Sequence, residues 1–217
     1  MAEGRARPLL IGTTNAGKFR EFCELLGDLP VVLRSLNDFP GAPQVEEDGD
    51  SYRANALRKA MALASWSGHP TLADDSGLEV DALRGAPGVC SARYAGPQQD
   101  SAANMRKLLW ALQGIPEERR TARFRCVIVV AAPDGATLTA EGTCEGRVIE
   151  RPRGHGGFGY DPVFLYPPLG LTFAEMAPAQ KNRLSHRARA CAALHPQLYG
   201  FLAAHDAACN EDGNDPR

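Results

Sequence analysis

The stretch Leu72-Ala73-Asp74-Asp75-Ser76-Gly77-Leu78 sets two adjacent carboxylates at the end of an apolar run, followed at once by a hydroxyl and a glycine. Acids grouped this tightly are suited to holding a hard cation. An apolar run of strand length supplies rigid support, and Gly77 is expected to turn the backbone away while Ser76 stays near whatever the acids bind. Asp74 and Asp75 also fit the simpler part of turn residues at a strand end. The choice rests on what else the chain carries.

Three further groups bear on it. Gly12-Thr13-Thr14-Asn15-Ala16-Gly17-Lys18 has the spacing of a Walker A phosphate loop as far as its lysine, but Phe19 stands where that loop needs a magnesium-binding hydroxyl. Backbone N–H groups, the positive end of a helix and Lys18 can still hold a polyphosphate, so the metal has to be carried elsewhere. Glu46-Glu47 and Asp74-Asp75 supply carboxylates for it, with water and substrate phosphate completing a magnesium shell. A second glycine-rich run, Gly154-His155-Gly156-Gly157-Phe158-Gly159-Tyr160-Asp161, allows close backbone approach and presents rings suited to stacking on a base. Lys181 and Ser185-His186-Arg187 offer cationic donors. Taken singly, each has an ordinary reading as a tight turn, a favourable helix-dipole charge, a loop around a buried ring, or a solvated helix face.

The elements that must position these groups follow from periodicity and punctuation. Pro8 to Ile11 reads as a buried strand, 12–17 as a loop, and Lys18 to Leu26 as a helix with Phe19, Phe22, Cys23 and Leu26 on one face. Val31 to Leu33 forms a second short strand. The acidic loop 40–50 leads into a long helix over Ser51 to Trp66, capped by Asp50 or Ser51. Thr71 to Ala73 is expected as a central strand and Leu78 to Leu83 as a shorter one. Ser101 to Leu112 is an amphipathic helix, and Arg123 to Ala131 with Ala136 to Glu141 flank Pro133-Asp134-Gly135 as a hairpin. Arg147 to Ile149 and Val163 to Tyr166 bracket the glycine-rich loop. Ala179 to Leu194 and Gln197 to His205 close the chain as helices. The expected architecture is α/β, a mixed twisted sheet flanked by helices, with two lobes around a central cleft in one domain over 1–207 and a flexible tail at 208–217.

At 217 residues, with 44% hydrophobic and 23% charged residues, the composition is that of a soluble globular protein able to bury a full core. A net charge of −2 gives no overall positive field for nucleic acid or an anionic membrane, so a phosphate ligand must be met locally. Cys23, Cys90, Cys126, Cys144, Cys191 and Cys209 are scattered without zinc spacing, which fits reduced thiols in the cytoplasm. The apolar stretch after Pro8 is too short for a signal-peptide core, and no segment approaches a membrane span.

Together these blocks resemble the inosine triphosphate pyrophosphatase family. The likeness is carried by Thr13 to Lys18 with Glu21, Glu47, Ala73 to Leu78, Gly85-Ala-Pro-Gly-Val with Ser91-Ala92-Arg93-Tyr94, Gly156 to Pro162, and Lys181 with Ser185-His186-Arg187. It implies hydrolysis of ITP, dITP and XTP between the α and β phosphates, with Mg²⁺ as cofactor and a homodimer as assembly. It implies Asp75 as general base and magnesium ligand and Glu47 as the second metal ligand. Thr13, Thr14, Asn15, Ala16, Gly17, Lys18 and Lys181 would hold phosphates, with Ser76 in the substrate site, and Phe158, Gly159, Tyr160, Asp161, His186 and Arg187 would form the base pocket. Thr14 stands where relatives often carry glycine, and Asp74 has no assigned role.

Two other readings remain open from residues alone. A P-loop NTPase or kinase would cleave at the γ-phosphate, which Phe19 opposes. A nucleotide sensor would bind without reacting, which the acids at Glu47 and Asp75 oppose because they would repel a triphosphate without a metal.

Overall fold

The computed structural model describes residues 7–205, so the expected tail at 208–217 and the thiol of Cys209 lie outside the described residues. Seven strands form one mixed sheet in the order β2-β1-β3-β4-β5-β6-β7. They are β1 (Arg7–Ile11), β2 (Val31–Ser35), β3 (Thr71–Val80), β4 (Thr121–Ala131), β5 (Thr137–Val148), β6 (Phe164–Tyr166) and β7 (Leu171–Thr172). β1 pairs parallel with β2, Leu9 opposite Leu33, and with β3, Ile11 opposite Leu72. β5 pairs antiparallel with β6, and β6 with β7. The helices are α1 (Ala16–Leu26), α2 (Tyr52–Ser67), α3 (Ser101–Ala111), α4 (Pro178–Leu184) and α5 (His186–His205). No helix among the described residues is long and apolar enough to cross a membrane. The expected mixed α/β sheet with flanking helices is the fold observed.

The chain gathers into two compact units. The first takes the chain through Asp74, Val127–Ala140 and the chain from Cys191, and the second takes Asp75–Cys126 and Glu141–Ala190. In the first, Ala56, Ala60 and Ala64 of α2 pack on Ala73, Val129 and Ala131, small residues that let a helix lie close to strands. The N-terminus of α2 is fixed by Ser51, whose Oγ accepts the Ala54 N–H at 3.2 Å. In the second, Leu78, Val80, Phe124, Val148, Phe164 and Phe173 build a core in which the Phe124 and Phe164 rings lie 4.6 Å apart.

Three expected boundaries are corrected. β3 runs unbroken from Thr71 to Val80, so the acids lie inside a strand and Gly77 makes no turn. The two short strands expected at 136–141 and 147–149 are one strand, β5. The helical break expected before Gln197 falls at Ser185 instead, and α5 continues through Pro196. Leu194, Leu198 and Leu202, all buried at one-turn spacing, hold α5 together across the proline.

Candidate active site

In the first unit the 12–15 loop is shaped at both ends. A Cβ on Gly12 would meet Leu63 Cδ1 at 2.8 Å and the Leu72 carbonyl oxygen at 3.3 Å, so the chain leaves β1 packed tightly against its neighbours and a side chain there would have to displace Leu63. Thr13 Oγ1 accepts the Asn15 N–H at 3.2 Å, and Asn15 Oδ1 caps α1 by accepting the Lys18 N–H at 3.0 Å. Thr14, Asn15 and Ala16 are exposed, while Thr13, Gly17 and Lys18 are half-buried. The Lys18 ammonium lies 3.0 Å from Asp74 Oδ2, and the Asp74 side chain is fully buried. This gives Asp74 the partner that the sequence left unassigned.

Lys59 ties the acidic loop to the same place. Its Nζ pairs with Glu47 and donates to the Asp74 carbonyl oxygen at 2.7 Å, so one ammonium on α2 holds the loop carboxylate beside β3. Helix charges are ordinarily solvated, and nothing in the alanine-rich spacing of α2 separated Lys59 from Arg53 or Arg58. Its 12% side-chain exposure does.

In the second unit Asp75 Oδ1 accepts the Ser76 N–H at 2.8 Å. Ser76 Oγ accepts from Arg187 Nη2 at 3.1 Å, and the Arg187 guanidinium carbon lies 5.9 Å from the Phe158 ring centre. The same ring has the Lys181 ammonium 4.8 Å from its centre on a cation–π approach. Asp161 Oδ2 accepts the Phe158 N–H at 2.9 Å and pairs with Lys181 Nζ at 2.6 Å, so one buried carboxylate fixes both loop and lysine. The loop can fold back this far because Gly157 has φ +71° and a Cβ there would strike the Asp161 carboxylate. Phe158 and Gly159 are half-buried, whereas Asp161, Lys181, His186 and Arg187 are buried.

His186 and Arg187 open α5, whose start is fixed by Ser185. That residue ends α4 by donating its N–H to the Lys181 carbonyl oxygen at 2.9 Å, and its Oγ then accepts the Ala188 N–H at 3.2 Å. The His186 ring stacks on Phe124 at 4.7 Å with 15° between planes. Tyr160, expected to offer its ring to a base, lies in the core with its hydroxyl donating to the Ser91 carbonyl oxygen at 2.9 Å, and burial pushes its phenol well above the ordinary range.

Thr13 to Lys18, Glu47 and Asp74 therefore belong to the first unit, and Asp75, Ser76, the 158–161 segment, Lys181, His186 and Arg187 to the second. Lys181 stands among Asp161, Phe158 and Phe173 in an aromatic and acidic setting. Glu47 and Asp75 offer carboxylate oxygens alone. Such hard donors suit magnesium, which takes few protein ligands and keeps places for water and phosphate, so the donor chemistry fits that ion.

Comparison with known proteins places the chain as a whole. The Ham1 family model matches residues 9–197. A dITP/XTP pyrophosphatase of Desulforamulus reducens is 52% identical over 182 residues, covering 84% of this chain and 90% of that protein. One of Geobacillus kaustophilus is 52% identical over 191 residues, covering 88% and 94%. The structure of a HAM1 protein from Coxiella burnetii is similar with a TM-score of 0.81 and 39% identity, covering 89% of this chain and 99% of that one. The family match spans every residue group described above, and the chain belongs to the Ham1 family.

Proposed function

We propose that the protein hydrolyses the non-standard purine nucleoside triphosphates ITP, dITP and XTP between the α and β phosphates, releasing a monophosphate and pyrophosphate and cleansing the nucleotide pool. Relatives that are about half identical and named dITP/XTP pyrophosphatases support the reaction class. The observation that carries it to this chain is Arg187, which donates to the hydroxyl beside Asp75 and lies over Phe158. It joins the residue expected to do chemistry with the ring expected to meet the base.

In this reading Glu47 and Asp75 would hold Mg²⁺, which when bound neutralises phosphate charge and eases deprotonation of water. Asp75 takes the proton from the attacking water as that oxygen bonds to the α-phosphorus and the bond to the bridging oxygen breaks, releasing pyrophosphate. Lys18 and the backbone N–H groups of 13–17 offset the charge of the phosphates. Phe158 stacks on the purine, and Arg187 donates to a 6-keto oxygen, which hypoxanthine and xanthine have and adenine lacks. The proposed setting is cytoplasmic, as a homodimer whose mass light scattering would give.

The test is hydrolysis of ITP, dITP, XTP, GTP and ATP with magnesium varied, by the wild type and Asp75→Asn, with pyrophosphate and phosphate detected separately. Pyrophosphate from the first three, and a loss of roughly 100-fold or more in the variant, is the expected result. Phosphate as first product would assign cleavage to the γ position instead, and near-normal turnover by Asp75→Asn would remove it as the base.

A further inference from the structure

The buried middle of β5 carries a glycine where α5 begins, and nothing in the proposed chemistry uses it. A Cβ built on Gly142 would press into the His186 carbonyl oxygen and the Ala190 nitrogen, and would stand 3.0 Å from Ala190 Cα. All three obstacles are backbone atoms, so no side-chain rotation relieves the clash. A glycine inside a strand commonly marks such a close approach of another backbone. Here the approaching backbone is the turn that carries His186 and Arg187.

That turn is held from several sides. Arg189 donates from Nη1 to the Thr143 carbonyl oxygen at 2.9 Å, one residue along β5 from Gly142, and from Nε to the Leu184 carbonyl oxygen at 3.1 Å. Ser185 Oγ closes the turn on the Ala188 N–H, and the His186 ring is stacked on Phe124. These contacts resist sideways sliding, and because every obstacle is backbone, an added methyl has to push the α5 backbone away from Gly142. A lift of about 1 Å stretches the 3.1 Å contact between Arg187 and Ser76 beyond hydrogen-bond range.

We propose that Gly142 is a positioning residue for purine selection: by lacking a side chain it seats the first turn of α5 at the depth from which Arg187 reaches both Ser76 and Phe158. The proposal rests on the reading of Arg187 as donor to the 6-keto oxygen. Gly142 touches no reacting atom and acts through the turn that carries Arg187. Misplacement of a recognition group by about 1 Å can cost up to 100-fold, so an effect on selection of tenfold or more is expected.

The experiment compares Gly142→Ala with Gly146→Ala, a control on the same strand whose Cβ would meet the Leu165 carbonyl oxygen at 2.5 Å and the Phe164 ring rather than the α5 backbone. The readouts are kcat/KM for ITP relative to ATP, inhibition by inorganic pyrophosphate, and the melting temperature. Gly142→Ala is expected to lower the ITP-to-ATP ratio by about tenfold or more with pyrophosphate inhibition unchanged. Gly146→Ala is expected to keep the ratio whatever stability it loses. A folded Gly142→Ala with the wild-type ratio, or equal falls in both variants, overturns the proposal. Should Gly142→Ala fail to fold, Ser185→Ala loosens the same turn without adding atoms. A fall in the ratio there supports the proposal, and an unchanged ratio overturns it. A wild type that does not prefer ITP to ATP removes the donor role of Arg187 and Gly142's role with it, whereas a preference that survives Gly142→Ala removes Gly142's role only.

Discussion

Lys18 Nζ stands 3.0 Å from Asp74 Oδ2, with the carboxylate wholly out of water and the lysine side chain 17% exposed. The lysine expected to serve phosphate alone is thus also the counter-ion of a buried acid. That asymmetry of exposure sets the first prediction. Lys18→Met leaves a buried carboxylate without its ammonium and is expected to cost about 3–5 kcal/mol in urea unfolding. Asp74→Asn leaves a lysine that can extend toward water and is expected to cost less, about 1–3 kcal/mol. Equal losses would show that the pair is not held as described.

Lys59 holds Glu47 beside β3 without being placed to react. Lys59→Met is therefore expected to raise the magnesium concentration for half-maximal activity by roughly tenfold, the scale of losing a group that orients a metal ligand. Turnover at saturating magnesium should change far less. A fall in turnover with an unaltered magnesium requirement would argue against this role.

Phe158 presents a half-buried ring within reach of two cationic side chains. Phe158→Leu keeps an apolar group but removes the aromatic face, so KM for ITP is expected to rise roughly tenfold, as when about 1–3 kcal/mol of base stacking is lost. Inhibition by inorganic pyrophosphate, which has no base, should not move. A parallel weakening of pyrophosphate would place Phe158 with the phosphates.

The Thr121 hydroxyl, donating to Asp81 Oδ2 at 2.6 Å, and then Arg123 hold the Asp81 carboxyl below its ordinary value. A lowered folded-state value contributes stability that is present above the unfolded pKa of about 3.9 and disappears as pH falls through the folded value. Thr121→Val should bring the Asp81 pKa back up toward its unfolded value, so this contribution shrinks and is exhausted at a higher pH. Titration of the Asp81 carboxyl by NMR reads the shift directly, and an unchanged midpoint in Thr121→Val would sink the assignment.

The sequence was most legible where local chemistry and tertiary packing agree. The strand, loop and helix around Lys18, the Ser51-capped α2 and the hairpin at Pro133-Asp134-Gly135 all stand near their expected places. It was least legible where packing overrides local preference. Asp74 to Gly77 are weak strand formers, yet β3 runs through them because it is an interior strand between β1 and β4. Gly142 and Gly146 weaken the strand signal of β5, although each sits where another backbone leaves no room for a Cβ. Pro196 suggested a break that the leucine stripe of α5 spans, and the true break at Ser185 carries only a capping hydroxyl as its signal. The candidate site residues were named individually, but that Lys18 answers Asp74, that Asp161 holds Phe158 and that Lys59 reaches Glu47 depends on contacts between residues distant in the chain.

The unbroken course of β3 alters the arithmetic of the aspartate doublet. Successive side chains of a strand face opposite ways, so Asp74 and Asp75 are neighbours along the backbone and strangers across it. Their identity resides in odd and even places rather than in the letters. Deleting or adding a single residue between Thr71 and Asp74 would present one acid's side to the other's surroundings, with the amino-acid composition of the stretch almost untouched. Along this strand the register of the fold matters as much as the presence of the two acids.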